Sequence, residues 1–282
     1  MKNEWLPGIT NEQHHAMDAI SSTKLKIFYG EGPDYYNKKY NLKLIPSPKE
    51  SKNFRDGTNI HELILEEDKF RANTIVFDGD LRTKKGKEEL DFKIKQIPSG
   101  SQKIKIIDTE TLNMYQSCAD SVNSNLLFKE LQKCGIVELS GTAIDPITGL
   151  AMCIRGDLKF SRGFIDVKTI DELTPKNIQN HIIDFYYWMQ VAHYLECANI
   201  IDNTNQYKEF WFMFVEKKAP FRNHMFQLDE VDIDFAKRIR RKCLDEIAKC
   251  KKSGIWPSYQ KETFSTLPNY AFNNYFEMMK RG

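Results

Sequence analysis

The spacing of apolar residues along the chain changes near residue 135, from a helical pattern to a strand-like one. In the first part, Ile60, Leu63 and Ile64 recur at i, i+3 and i+4, which predicts a helix over about 58–67 with His61 beside its apolar stripe. Further helices are predicted over 23–29, 83–95 and 109–132, and a short strand over 74–77. We therefore expect residues 1–132 to form a helical N-terminal section.

Beyond Gly135 the pattern is rich in strands. Residues 136–144 and 150–158 are predicted strands, joined by a turn at 145–149 that contains Pro146 and Gly149. A strand over 164–169, a helix over 175–199, strands over 207–216 and 223–228 and a charged helix over 232–252 are predicted to follow.

This order of elements predicts the α/β class, with a central mixed β-sheet flanked by helices. The catalytic core would have the order αβββαβ over about 133–230, followed by a C-terminal helix and tail over 231–282. No break in composition separates the parts, so we expect a single domain over 1–282.

Composition narrows the possible functions. The chain has 282 residues, 41% of them hydrophobic, and 41 basic against 39 acidic residues, for a net charge of +2. That balance argues against a protein that coats nucleic acid indiscriminately, but it permits a local basic track. Two clusters could supply one, at 84–87 and at 237–242, although such clusters are often simple solvated helix faces.

The sequence does not support a membrane protein, a secreted protein or a protein with a cysteine-ligated metal site. There is no apolar run long enough for a membrane span and no apolar stretch of a secretory signal at the start, so we expect a soluble intracellular protein. The six cysteines form no Cys-x-x-Cys pair, which argues against a zinc ribbon or a compact iron–sulfur site.

Acidic residues recur on the predicted strands at positions that can share a face. Alternation with period two places Asp166 and Lys168 together, and Asp157 with Arg155 on the preceding strand. With Glu138 on the strand before, three neighbouring strands can present carboxylates to one cleft. Carboxylates gathered in this way repel one another unless a cation lies between them, and oxygen ligands suit Mg²⁺ or Mn²⁺. The alternative is a surface hairpin with scattered charges.

The helix after these strands carries a polar residue within an aromatic stripe. Tyr187, Gln190 and Tyr194 lie at i−3, i and i+4 on one helical face. An amphipathic helix packed on the sheet would explain the tyrosines, but a buried glutamine amide needs hydrogen-bonding partners. This stripe is therefore a candidate wall of the cleft.

The order of these motifs resembles the PD-(D/E)XK nuclease superfamily, and within it the phage and prophage exonuclease VIII group, often called RecE-like. The core likeness consists of Glu138, Gly156-Asp157, Asp166-Val167-Lys168-Thr169 and Gln190-x-x-x-Tyr194. Further likenesses are Pro7-Gly-Ile-Thr-Asn-Glu, Ala19-Ile-Ser-Ser-Thr-Lys-Leu, Gly57-Thr-Asn-Ile-His61, Phe214-Val-Glu-Lys and Gly254-Ile-Trp-Pro-Ser-Tyr259, so the resemblance spans roughly residues 7–260. Where the group usually has Arg-Pro-Asp, this chain has Arg155-Gly156-Asp157.

The resemblance implies roles for individual residues. The metal ligands would be His61, Asp157, Asp166 and the carbonyl of Val167, with Glu138 either a further ligand or a neighbour of the ligands. Lys168 would be the catalytic lysine. Gln190 and Tyr194 would orient this lysine or contact DNA near the scissile phosphate, and Arg155 and Tyr187 would also contact DNA.

The resemblance also implies a function. The protein would be a Mg²⁺-dependent deoxyribonuclease, with Mn²⁺ able to substitute, and a 5′-to-3′ exonuclease on double-stranded DNA ends in phage-type recombination and repair. It would form a homo-oligomer and act beside a single-strand annealing protein in the cytoplasm of a bacterial or phage-infected cell. A structure-specific or single-strand endonuclease of the same superfamily is one alternative; a non-catalytic DNA-binding recombination scaffold is another.

Overall fold

A computed structural model describes residues 1–97 and 104–258 of the chain. The strands in this part are β1 (Glu4–Leu6), β2 (Thr74–Val76), β3 (Lys105–Ile107), β4 (Ile136–Ile144), β5 (Ala151–Phe160), β6 (Gly163–Ile170), β7 (Glu209–Glu216) and β8 (Asn223–Gln227). The α-helices are α1 (Asn11–His15), α2 (Ser22–Tyr36), α3 (Lys52–Leu65), α4 (Glu67–Ala72), α5 (Lys84–Lys95), α6 (Thr109–Ser124), α7 (Leu126–Lys133), α8 (Pro175–Asp184), α9 (Tyr187–Ile201) and α10 (Glu230–Ser253), and a π-helical turn, Asn37–Asn41, follows α2.

Six of the strands form one mixed sheet in the order β1-β4-β5-β6-β7-β8. Strands β6 and β7 are parallel, and the other neighbouring pairs are antiparallel. Helices α8 and α9 form the crossover that a parallel pair requires. The predicted α/β class, the mixed sheet and the order αβββαβ are confirmed.

Helices cover both faces of the sheet. Alternation along β6 and β7 puts Phe164 and Phe212 into an apolar cluster with α2, α9 and α10, and puts Ile165 and Met213 into a second cluster with α3, α6 and α7. The first layer therefore combines α2 with the C-terminal helices α9 and α10, while the second layer consists of helices that precede β4. The single domain predicted over 1–282 stays a prediction.

The N-terminal section is mainly helical, as predicted; it contains the strand predicted over 74–77, observed as β2, and two strands that were not predicted, β1 and β3. Strand β1 pairs with the edge of β4, and β2 pairs in parallel with β3 to form a separate two-stranded sheet. Helix α5 connects those two strands, and Ile75, Phe77 and Leu90 form a small apolar cluster between them. Strands of three residues are too short to show a clear alternation.

Two predicted helices are each divided. The predicted helix over 109–132 stops at Asn125, whose side chain accepts a hydrogen bond from the backbone N–H of Phe128 and thereby caps α7. The predicted helix over 175–199 is interrupted before Tyr187, because Tyr186 has a left-handed backbone with φ of 49°. Both interruptions leave the apolar periodicity of the flanking helices intact.

The chain after α10 returns to the helical layer. Gly254 ends α10 with φ of 71°, Trp256 stacks on Tyr36 with ring centroids 5.6 Å apart, and the carbonyl of Pro257 accepts a hydrogen bond from the N–H of Asp34. Tyr259 and the rest of the predicted tail lie outside the described residues. Within the described ranges, no helix has both the length and the apolar character needed to span a membrane.

Candidate metal and nuclease site

The strands β5 and β6 separate at Asp157. Their pairing runs from Phe160 opposite Gly163 to Leu158 opposite Ile165, and it stops there. Beyond that point, the backbone N–H of Val167 donates to Oδ2 of Asp157 at 2.8 Å. A carboxylate thus takes the place of a ladder carbonyl, and Asp157 and Asp166 face each other across the opening.

Glu138 lies beside this opening in an unusual backbone conformation. Its φ is 52°, in the left-handed region, and it forms no ladder pair although Val137 and Leu139 on either side do. This conformation costs a non-glycine residue roughly 1–3 kcal/mol, and such residues cluster at functional sites. The carboxylate is held by Nε of Arg155, which donates to Oε2 at 2.5 Å.

The side chain of His61 reaches the two strands from α3. Its Nε2 lies 2.8 Å from Oδ2 of Asp157, and its Nδ1 lies 3.6 Å from Oε1 of Glu138. One ligand atom from each of the three residues lies within 4.8 Å of the others. Two carboxylates and an imidazole at this separation fit a divalent cation such as Mg²⁺ or Mn²⁺.

The charges of these three groups depend on one another. Burial disfavours the charged imidazole, but Asp157 and Glu138 outweigh burial and raise the pKa of His61 to about 9. Burial and the charge of Asp157 raise the pKa of Glu138, although His61 and Arg155 oppose them. Burial also works against the ionised form of Asp157, yet His61 and Lys168 keep its pKa below the ordinary value. A protonated imidazole therefore supplies the positive charge that the two carboxylates require, and a metal ion would take over this role when it displaces the proton and binds the neutral ring.

A second group of polar residues surrounds Asp166. Nε2 of Gln190 donates to Oδ1 of Asp166 at 2.6 Å, and Lys168 forms an ion pair with Oδ2. Burial lowers the pKa of Lys168, but Asp166 and Tyr187 outweigh it and raise the pKa. Burial and the charge of Asp157 raise the pKa of Asp166. The structure thus places Gln190, Asp166 and Lys168 in direct contact.

Sequence reasoning did not identify the residue on the other side of Gln190. Nζ of Lys26, on α2, donates to Oε1 of Gln190 at 3.2 Å. Lys26 and Lys168 also lie over the ring of Tyr187, 4.9 and 5.0 Å from its centroid. The requirement of a buried glutamine for several partners was the available signal, but it did not indicate which residue would supply them.

Tyr194 and Arg155, two further residues of the predicted site, form hydrogen bonds with other parts of the protein. The hydroxyl of Tyr194 donates to the backbone carbonyl of Arg155 at 2.7 Å, and the guanidinium of Arg155 donates to the carbonyl of Ile9 and the hydroxyl of Ser140. The suggested role of the Val167 carbonyl as a ligand stays a prediction.

A cavity of about 1170 Å³ opens onto His61, Glu138 and Asp157. Six of its other lining residues are basic, namely Lys24, Lys39, Lys43, Lys69, Lys105 and Arg155, and four are acidic, namely Glu12, Asp18, Glu62 and Glu66. Lys69 pairs with Glu66, Lys105 with Glu62 and Arg155 with Glu138. Residues 8–24 form much of the remaining wall. The cavity therefore places Lys24, Lys39 and Lys43 in the same wall as the three candidate ligands, and sequence patterns had not predicted this arrangement.

The predicted basic cluster at 237–242 is not a continuous exposed track. Arg240 is buried, with its guanidinium 3.3 Å from Nδ1 of His193 and in contact with the sulfur of Met152. Arg241 pairs with Asp145 and Asp245. Burial of Arg240 and pairing of Arg241 remove two of the five charges from the surface that would bind phosphate.

The fold and the motifs at the opening between the strands define the class of PD-(D/E)XK nucleases, as the sequence resemblance implied. Residues 21–264 match the model of a family described as a PDDEXK-like domain of unknown function (DUF3799), and the chain belongs to this family. Membership supports a hydrolytic nuclease, and nucleases of this superfamily generally use divalent metal ions. No curated protein matches the chain.

Solved structures support the same fold. A crystal structure of a protein from Eubacterium rectale, described as a "putative exonuclease", is similar to this chain with a TM-score of 0.61 at 13% sequence identity. The similarity covers 94% of this chain and 97% of the other chain. At this level of identity the likeness concerns the fold alone.

Proposed function

We propose that this protein is a divalent-metal-dependent deoxyribonuclease that hydrolyses phosphodiester bonds. The observation that carries the proposal is the convergence of His61, Glu138 and Asp157 on a cavity that also contains Lys24, Lys39 and Lys43. Three candidate ligands in one cavity wall with lysine side chains suit a phosphodiester substrate whose reaction uses a hard cation.

Each residue has a role that follows from its contacts. His61, Glu138 and Asp157 would hold the ion, with Asp166 facing Asp157 across the opening between the strands. A bound Mg²⁺ supplies an acidified water and neutralises charge on phosphate oxygens. Lys168 carries a positive charge next to Asp166 and stabilises negative charge that develops on the phosphate.

The surrounding residues orient this machinery. Gln190 holds one oxygen of Asp166, and Arg155 holds one oxygen of Glu138. Tyr194 restrains the backbone at Arg155 through its hydroxyl, so the position of Asp157 two residues later is restrained as well. Arg155, Tyr187, Gln190 and Tyr194 are proposed DNA contacts through the RecE-like resemblance. The hydrogen bonds of Gln190 and Tyr194 favour a positioning role for those two.

We further propose a 5′-to-3′ exonuclease that digests double-stranded DNA from its ends during phage-type recombination. The RecE-like order of motifs supports this specificity, and the similar protein from Eubacterium rectale is described as a "putative exonuclease". The same resemblance supports a homo-oligomer that acts beside a single-strand annealing protein, with Mg²⁺ as the ion, in the cytoplasm of the host.

The direct test compares linear and covalently closed circular duplex DNA, each with Mg²⁺, with Mn²⁺ or with EDTA. We expect the linear form alone to be degraded and EDTA to abolish degradation. Ends labelled at the 5′ or the 3′ position then report the polarity. Cleavage of the circle would contradict the exonuclease proposal and favour a structure-specific or single-strand endonuclease. If the protein binds DNA but shows no metal-dependent cleavage, the non-catalytic recombination scaffold becomes the favoured alternative.

A further inference from the structure

Lys26 is a half-buried lysine next to the proposed site that the mechanism above does not use. Its ammonium group donates to Oε1 of Gln190 at 3.2 Å and lies 4.9 Å from the ring centroid of Tyr187. No carboxylate among the described residues lies within 4.0 Å of it. Burial and the positive charge of Lys168 lower its pKa to about 7, although Asp166 opposes them. Burial of a charged lysine without a carboxylate partner costs free energy, because the ammonium group loses water, and other interactions must offset this cost.

The chemistry of Gln190 explains what Lys26 does there. A glutamine amide has one accepting and one donating end, which can exchange places by rotation about the last side-chain bond. In its charged form, which the carboxylate of Asp166 favours, Lys26 only donates, so the oxygen of Gln190 is held toward it. The NH₂ group is then held toward Oδ1 of Asp166, which it contacts at 2.6 Å. The reversed amide would set its oxygen against the carboxylate and its NH₂ group against the ammonium.

The same chain of contacts extends to Lys168. With Oδ1 of Asp166 bound by Gln190, Oδ2 is the oxygen that pairs with Lys168. The ring of Tyr187 lies about equally far from both ammonium groups, 4.9 Å from Lys26 and 5.0 Å from Lys168. An aromatic face attracts cations, and this shared ring lets two like charges lie near each other.

We propose that Lys26 is a positioning residue of the nuclease reaction, which fixes the orientation of the Gln190 amide and through it the carboxylate of Asp166 beside Lys168. The inference rests on the proposed function for its kinetic consequence. The hydrogen-bonding arrangement itself does not depend on activity.

The test is a double-mutant cycle with the variants Lys26→Met, Gln190→Ala and the double variant. Outer partners of site residues typically contribute about 10–100-fold to activity, so we expect Lys26→Met to lower kcat in that range while KM changes by less than about twofold. We expect the double variant to be no slower than the slower single variant. Lys26→Arg keeps a donating cation and should retain most of the activity. Lys38→Met, at an exposed lysine paired with Asp34, is the matched control and should leave kcat unchanged.

A second measurement follows the amide without using activity. The NH₂ signal of Gln190 is assigned in a nitrogen–proton correlation spectrum by its loss in Gln190→Ala. We expect Lys26→Met to move this signal toward the position of exposed glutamines, and Lys26→Arg and Lys38→Met to leave it in place.

The outcomes separate the two claims. If the wild-type protein cleaves no DNA with either metal, the proposed function fails, and the Gln190 signal still decides whether Lys26 orients the amide. If the fold-loss of kcat in the double variant equals the product of the two single losses, the inference is overturned, because Lys26 then acts independently of Gln190. A rise in KM at constant kcat would overturn it in favour of direct DNA contact. An unmoved Gln190 signal in Lys26→Met would also overturn it.

Discussion

Nε2 of His61 lies 2.8 Å from Oδ2 of Asp157, and this contact joins a helix of the N-terminal section to a central strand. The same carboxylate oxygen accepts the N–H of Val167 on the next strand. One oxygen therefore connects α3, β5 and β6 at the point where the two strands separate. Any ion held by His61 and Asp157 would sit at the junction of these three elements.

Replacement of Lys168 tests the catalytic assignment. Loss of one charge-stabilising group typically costs roughly 10²–10³-fold in kcat, and we expect a loss of that size for Lys168→Ala. The measurement is the initial rate of degradation of end-labelled linear duplex at saturating Mg²⁺. Lys208→Ala, at an exposed lysine, should match the wild-type rate. An undiminished rate in Lys168→Ala would favour the scaffold alternative.

Two lysines in the cavity wall, Lys39 and Lys43, predict where DNA binds. Each lysine that neutralises a phosphate adds about 0.9 to the slope of log affinity against log salt concentration. We expect the pair Lys39→Ala and Lys43→Ala to weaken DNA binding and to reduce the slope by about 2. The measurement is fluorescence anisotropy with labelled duplex in EDTA at several salt concentrations.

The matched comparison for that pair is Lys84→Ala with Lys85→Ala on α5, two lysines that do not line the cavity. These changes should leave the slope unchanged. The reverse result, with the effect at 84 and 85 alone, would move the DNA track to the basic cluster of α5.

Gly156, directly before Asp157, is a position where we expect any side chain to destabilise the protein. A Cβ atom there would lie 2.6 Å from Cδ1 of Phe164, which is fully buried. Overpacking of this kind costs about 1–3 kcal/mol, so Gly156→Ala should lower the free energy of unfolding by that amount in urea titrations. Gly57→Ala, within α3, brings its Cβ 3.2 Å from the rotatable hydroxyl of Thr169 and gains helix propensity. Equal losses in the two variants would contradict this reasoning.

The contacts of Glu216 predict that its contribution to the free energy of unfolding depends on pH. Its carboxylate accepts hydrogen bonds from Arg222 and from the backbone N–H of Leu173, and these bonds lower its pKa from 4.5 to about 2. The stabilisation is therefore complete above pH 4.5 and is lost as the pH falls toward 2. Glu216→Gln should destabilise the protein clearly at pH 7 and much less at pH 3, as urea midpoints would report.

The control for this prediction is Glu88→Gln, at an exposed carboxylate of α5. It should give the same small difference from the wild type at both pH values. A loss in Glu216→Gln that does not change with pH would mean that the residue stabilises by packing rather than by its charge.

Sequence patterns predicted the sheet well because alternation is a local property. The predicted strand over 136–144 has the observed bounds. The shared face expected for Asp166 and Lys168 is turned toward α9, where Asp166 contacts Gln190 and Lys168 lies over the ring of Tyr187. The interruption at Tyr186 was not predictable, because the flanking segments keep the same helical periodicity across it.

Contacts between distant segments account for what the sequence could not show. Lys26 and Gln190 are separated by 164 residues, and their contact depends on how α2 packs against α9. The left-handed backbone of Glu138 depends equally on its neighbours, since glutamate has no intrinsic preference for it. Local patterns identified the acidic residues, while tertiary packing determined which partners they have.

The distance in sequence between site residues has a consequence for how the protein folds. Pairings such as Lys26 with Gln190 close very long loops, and proteins dominated by such pairings fold slowly. The site includes groups from residue 26 to residue 190, so every layer must dock before it is complete. Catalytic competence should therefore appear only in the last kinetic phase of refolding, and a nascent chain released before α9 is synthesised would have no means to cut DNA.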